Sequence, residues 1–256
     1  MDKGILESQN GKAYTGISEL KKVFLESRNG KRNEKRKFNI VQTRSTSKNM
    51  FLMDFNKQHL GSVPILKWKN NRVPYEISEN MPPKLKAVIL DTIQAWNKDF
   101  SKCIPWLPRK KERDYVYFTD GSYCHSEVGR MKRKQLLVLN GANCNDTGSV
   151  LHEMMHAIGF THEHNRPDRD DYIEMLFLNI PYEWRKQYAK ESLNIMEKLG
   201  PYDYYSLMHY EMQSPDRNKP AFRVIKEGVD LTRIGQRKSL TEIDKSKVKA
   251  LYCPFF

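Results

Sequence analysis

The chain reads as an α+β fold on three observations. Segments with strand texture come early, helical periodicity is interspersed among them, and the C-terminal half is rich in irregular connections. Val73-Pro74-Tyr75-Glu76-Ile77 alternates as a half-buried strand does, and Tyr115-Val116-Tyr117-Phe118 and residues 135–139 are apolar and β-branched or aromatic enough to be further strands. Pro82-Pro83 opens a helical pattern with Leu85, Val88, Ile89, Ile93 and Trp96 at spacings of three and four. Asp146-Thr147-Gly148 supplies a helix start, and residues 150–158 form the helix that Gly159 ends. Beyond it the spacing predicts an amphipathic helix near residues 183–199 and a last one over 240–252, where Thr241-Glu242-Ile243-Asp244 fits a capping box.

Composition sets the outer bounds. In 256 residues, 39% hydrophobic and 29% charged, there is material for a real core, and no run approaches the ~20 apolar residues of a membrane helix. The net charge of +13 is uneven. Residues 1–57 hold 13 basic and 6 acidic residues, so over half of the excess sits in an N-terminal arm that cannot build a core alone. Residues 1–58 are therefore expected to be a basic arm, and residues 59–256 a folded domain. The basic runs at 109–113 and 130–134 read as solvated surface. The first thirty residues lack the apolar stretch of a secretory signal.

The four cysteines, Cys103, Cys124, Cys144 and Cys253, form no CxxC pair, which disfavours a zinc ribbon or a thioredoxin-type site. Two disulfides in any of three connectivities are open, and two bridges would imply an oxidising compartment.

Chemistry concentrates in His152-Glu153-Met154-Met155-His156-Ala157-Ile158-Gly159-Phe160-Thr161-His162. Residues i and i+4 share a helix face one turn apart, so His152 and His156 can reach one ion. Glu153, beside the first, is placed to hold a water rather than the metal. Gly159 can take a left-handed backbone and turn the chain, which returns His162 as a third ligand. Three neutral nitrogens leave a position open, the arrangement of a catalytic rather than a structural zinc. A bare HExxH recurs by chance, whereas the extension by a glycine and a third histidine is far more specific. His164 receives no ligand role and is expected to lie behind the ligands or at the surface.

The run continues Phe160-Thr161-His162-Glu163-His164-Asn165-Arg166-Pro167-Asp168-Arg169-Asp170, and Ser206-Leu207-Met208-His209-Tyr210 follows about forty residues on. Together they resemble the HExxHxxGFxHExxRxDRD signature and the SxMHY Met-turn of the astacin family of zinc metallopeptidases, within the metzincin clan. Cys103-Ile104-Pro105-Trp106-Leu107-Pro108-Arg109, Cys124-His125-Ser126-Glu127-Val128-Gly129-Arg130 and Leu251-Tyr252-Cys253 resemble further family motifs. The departures are Trp106 for phenylalanine, Lys132-Arg133 where two glycines are usual, and an ending one residue shorter.

The resemblance implies a zincin-like domain with an N-terminal lobe, about 59–159, of twisted mixed sheet plus active-site helix. An irregular C-terminal lobe, about 160–256, would carry the Met-turn and a last helix. It implies one Zn²⁺ per chain on His152, His156 and His162, Glu153 as general base, and Tyr210 as a switchable ligand and oxyanion donor. Met208 would floor the metal, and the disulfides would be Cys103–Cys253 and Cys124–Cys144. Phe51-Leu52-Met53-Asp54 resembles a pro-segment motif whose aspartate, here Asp54, ligates zinc in the zymogen, though Met53 stands where glycine is usual. Glu163 corresponds to a glutamate that relatives bond to the new N-terminus after maturation. The expected protein is a minimal, exported, monomeric endopeptidase acting on protein or peptide, without nucleic acid or a membrane span. The alternatives are a zinc-stabilised binding module without turnover, and an arm that binds nucleic acid or an anionic membrane.

Overall fold

The computed structural model describes residues 66–191 and 196–253. The basic arm and Asp54 lie outside the described residues. Strand β1 (Val73–Ile77) leads into helix α1 (Pro83–Phe100), followed by β2 (Trp106–Pro108), β3 (Tyr115–Asp120), β4 (His125–Ser126) and β5 (Lys134–Leu139). These strands make one mixed sheet in the order β2-β1-β3-β5-β4, parallel throughout except for β4, which runs antiparallel to β5.

Helix α1 starts where proline permits, with Pro83 in the first turn and no backbone N–H to waste there. It buries Leu85, Ile89, Ile93, Trp96 and Phe100, spaced by four, four, three and four, as one stripe. Each such side chain contributes about 1.5–3 kcal/mol by leaving water. Asn97 on the same helix clamps the sheet edge: its amide donates to Trp106 O and its carbonyl accepts from Trp106 N, both at 2.8 Å.

Helix α2 (Thr147–Ala157) is capped by Asp146, whose carboxylate accepts from Ser149 N at 2.9 Å. Every residue from Gly148 to Ala157 is buried. The helix therefore runs through the core, and its polar side chains each need a partner there. Bridges Cys103–Cys253 and Cys124–Cys144, the pairs the resemblance implies, tie the loop after α1 to the residue that ends the last helix, and the approach to β4 to the approach to α2.

After α2 the chain is irregular, with a two-stranded antiparallel sheet of β6 (Ile173–Met175) and β7 (Phe222–Val224). Among the described residues, the long helix expected near residues 183–199 does not form. In its place stand a 3-10 helix, Tyr182–Tyr188, an extended Ala189, and a single turn, α3 (Met196–Leu199). The cause is competition for carbonyls. Asn165 donates to Gln187 O and Ala189 O, and Arg169 donates to Tyr188 O, so oxygens that a continuing helix would use are already taken. The final helix, α4 (Glu242–Tyr252), begins with the capping box of Thr241 and Asp244.

Candidate metal centre

His152 and His156 stand one turn apart on α2, with ring centroids 4.7 Å apart. The helix stops because Gly159 takes φ 110°, a backbone that side chains rarely allow, while Gly159 N bonds His156 O and Phe160 N bonds Met155 O. The reversed chain returns His162, whose Nε2 lies 3.2 Å from both His152 Nε2 and His156 Nε2. Among the described residues this is the one cluster of metal-ligating type, and all three members are buried.

The protonation state follows from the partners. Nδ1 of His152 faces Leu207 O at 2.9 Å and Nδ1 of His156 faces Phe160 O at 2.7 Å. A carbonyl can only accept, so each Nδ1 carries the proton and each Nε2 presents a lone pair. Burial pushes all three imidazoles below their ordinary pKa, His156 to about 3. Lone pairs of neutral nitrogens aimed at one point repel unless a cation lies between them. Zinc fits this donor set, three imidazole nitrogens with room for more.

Glu153 follows His152 on α2 and is buried there. Its Oε2 is buried without a hydrogen-bond partner, and burial raises its pKa to about 8 against the opposing pull of Arg237. Such an orphaned oxygen, on the residue next to a member of the cluster, suits a group that handles a proton. Tyr210 is partly buried. Its ring lies 4.3 Å from that of His162, and its hydroxyl donates to Gln187 Oε1 at 2.8 Å.

Met208 is fully buried in a turn held from outside by Asp244. That carboxylate accepts from Ser206 Oγ at 2.6 Å and from Leu207 N at 2.9 Å while it caps α4. Leu207 O in turn orients His152, so the capping residue of the last helix supports a ligand of the histidine cluster. His164, expected behind the ligands or at the surface, is wholly buried, with its ring stacked on His162 at 5.3 Å.

Glu163 finds a partner within the described chain. Its Oε1 accepts from Lys247 Nζ at 2.6 Å, Asp203 N at 2.9 Å and Arg166 Nη1 at 3.1 Å, and the Glu163 and Lys247 side chains are fully buried. Arg166 also forks onto Asp168. Sequence reasoning missed Lys247 and Gln187, and it read Asp244 as a helix cap without its bonds to Ser206 and Leu207. One signal existed: Lys247 shares the 3–4 spacing of Asp244, Val248 and Leu251 on the buried stripe of α4, where a lysine needs a counter-charge.

Comparison with known proteins agrees with this geometry. The family model described as Astacin, a peptidase family, matches residues 62–253. Zinc metalloproteinase nas-13 of Caenorhabditis elegans is 37% identical over 195 residues, covering 75% of this chain and 42% of that protein. Zinc metalloproteinase nas-15 of the same organism is 37% identical over 191 residues, covering 73% and 32%. The chain thus spans less than half the length of these curated relatives. The solved structure of high choriolytic enzyme 1, a hatching enzyme zinc-protease from Oryzias latipes, superposes with TM-score 0.65 at 31% identity, over 73% of this chain and 92% of that one.

Proposed function

The chain belongs to the astacin family of peptidases, and on that premise we propose that it is a zinc-dependent endopeptidase cleaving peptide bonds in proteins. The observation that carries the reading is the convergence of three neutral imidazole nitrogens, two of them on a helix that also buries the carboxylate of Glu153 with an unpartnered oxygen. His152, His156 and His162 would hold the ion. When bound, zinc supplies Lewis acidity, toward a peptide carbonyl and toward water.

The remaining work falls to side chains. Glu153 takes the proton from the attacking water and passes it to the leaving amine, as base and then acid. A cation held by the histidines would draw the Glu153 pKa down from the elevated value that burial sets, which would favour the carboxylate form needed for the first transfer. Tyr210 releases Gln187 and donates its hydroxyl to the developing oxyanion. Residues 1–58 act as a pro-segment whose Asp54 closes the site, a carboxylate being a competent further ligand of a three-histidine zinc. Two disulfides fit work in an oxidising compartment, and among the described residues no helix is long and apolar enough to cross a membrane.

The test is cleavage of a quenched fluorescent peptide library by the purified chain, before and after removal of residues 1–58. Activity that a chelator abolishes and zinc restores is the expected result. Zinc binding with no turnover in either form would make the protein a binding module instead.

A further inference from the structure

Strands β1, β3 and β5 run in one direction, so their starts meet at one edge of the sheet. Each is entered through a basic segment: Lys69 and Arg72 before β1, Lys110, Lys111 and Arg113 before β3, Arg130, Lys132 and Arg133 before β5. The fold thus gathers basic runs that the sequence leaves far apart. They line one cleft of about 410 Å³ with Lys69, Arg72, Arg113, Arg130 and Lys132 in its walls.

The acidic groups there are already engaged. Asp114 accepts from Arg130 Nη1 at 2.5 Å. Glu112 accepts from the backbone N–H groups of Lys110 and Lys111 at 2.7 and 3.1 Å. Lys69, Arg72, Arg113 and Lys132 are exposed, and none has a carboxylate partner among the described residues. The floor is fixed: Trp68 is buried with its Nε1 donating to Ala157 O at 2.8 Å, and Arg130 Nε donates to Lys67 O at 2.9 Å. Four cations without an ion-pair partner, from three chain segments, converge on a concavity where the one carboxylate outside an ion pair is Glu112, and this excess focuses a positive field.

We propose that this cleft is an exosite for a sulfated polysaccharide, which the four cations hold through its sulfate groups. Two observations favour that polymer over a nucleic acid. The cleft offers no free ring for base stacking, since Trp68 is buried and the nearby Tyr115 and Tyr117 are covered by Arg109 and Lys134, 3.9 and 3.6 Å from their centroids. The two disulfides place the domain in an oxidising compartment, where sulfated glycans are encountered. The proposal stands apart from the peptidase reading, because none of these residues belongs to the metal centre.

The experiment measures binding of a fluorescent heparin octasaccharide to the full chain by anisotropy at several salt concentrations. Two triple variants are compared: Arg72→Gln/Arg113→Gln/Lys132→Asn in the cleft, and Lys84→Gln/Lys86→Gln/Lys98→Gln on the exposed face of α1. Both keep the basic arm, so its contribution cancels. The cleft variant is expected to bind about tenfold more weakly, with a salt dependence shallower by about two to three released counterions, while the α1 variant stays within about twofold. Cleavage of a short uncharged peptide, read after removal of residues 1–58 from each variant, should be the same in both. Equal weakening by the two variants would overturn the proposal. So would a single-stranded oligonucleotide of the same charge that binds as tightly through the same residues. If the triple cleft variant melts early, the single variants are read, each expected to weaken binding about threefold; no change in any of them also overturns it.

Discussion

The hydroxyl of Tyr210 is held by the side-chain carbonyl of Gln187 at 2.8 Å, which parks the phenol beside the His162 ring. The other end of that carboxamide, Gln187 Nε2, is buried without a partner. On the mechanism proposed above, this hydrogen bond is the resting position that Tyr210 would leave to act. Tyr210→Phe removes the donor and keeps the ring packing. We expect kcat to fall about 100-fold with KM within about twofold, as when one oxyanion donor is lost. Steady-state kinetics on a single peptide decides it, and a raised KM with unchanged kcat would assign Tyr210 to substrate binding instead.

Glu153→Ala should keep zinc and fold while losing at least about 1000-fold in kcat/KM, since it removes the carboxylate proposed to move the proton. Elemental analysis and peptide cleavage on one preparation make the check. Turnover within about tenfold of the parent would remove Glu153 from the mechanism.

The buried pair of Lys247 and Glu163 makes a stability prediction. Lys247→Met leaves a fully buried carboxylate with Arg166 as its remaining cationic partner. Breaking a buried ion pair on one side costs about 3–5 kcal/mol. Urea unfolding should show that loss, and the double variant Lys247→Met/Glu163→Gln should recover part of it. A change under about 1 kcal/mol in the single variant would mean that Lys247 is incidental to the segment that carries His162.

These residues mark how far the sequence could be read. The ligand set was legible because its parts are local: a helical turn separates His152 from His156, and one glycine returns His162 three residues later. The capping box at Thr241 was legible for the same reason. The bond from Asp244 to the turn at residues 206–208 and the pairing of Lys247 with Glu163, 84 residues away, depend on tertiary packing that no spacing encodes. The helix expected at 183–199 failed on the same ground. Its local periodicity was sound, but Asn165 and Arg169 claim its carbonyls from another segment. The basic runs at 109–113 and 130–134 looked like separate patches until parallel pairing brought their strands side by side.

Acid should loosen the fold through His209. Its Nδ1 donates to Tyr210 O at 2.8 Å, its Nε2 accepts from Tyr202 Oη at 2.6 Å, and burial pushes its pKa down to about 4. Unfolded, the same group titrates near ~6.5. Between those values the unfolded chain binds the extra proton, so stability is complete above about pH 6.5 and falls as pH drops toward 4. The cost is of the order of 2–3 kcal/mol at the acid end. Unfolding curves of the parent and His209→Gln from about pH 7 to about pH 4 should converge on acidification, and parallel curves would contradict the assignment.

Zinc stoichiometry and coordination in the purified chain test the reading most directly. Elemental analysis with X-ray absorption at the zinc edge should give one ion per chain, with imidazole nitrogens at about 2.0–2.1 Å, and His162→Ala should lose that signature while remaining folded. A folded parent that takes up no zinc, or a His162→Ala variant whose spectrum is unchanged, would contradict it.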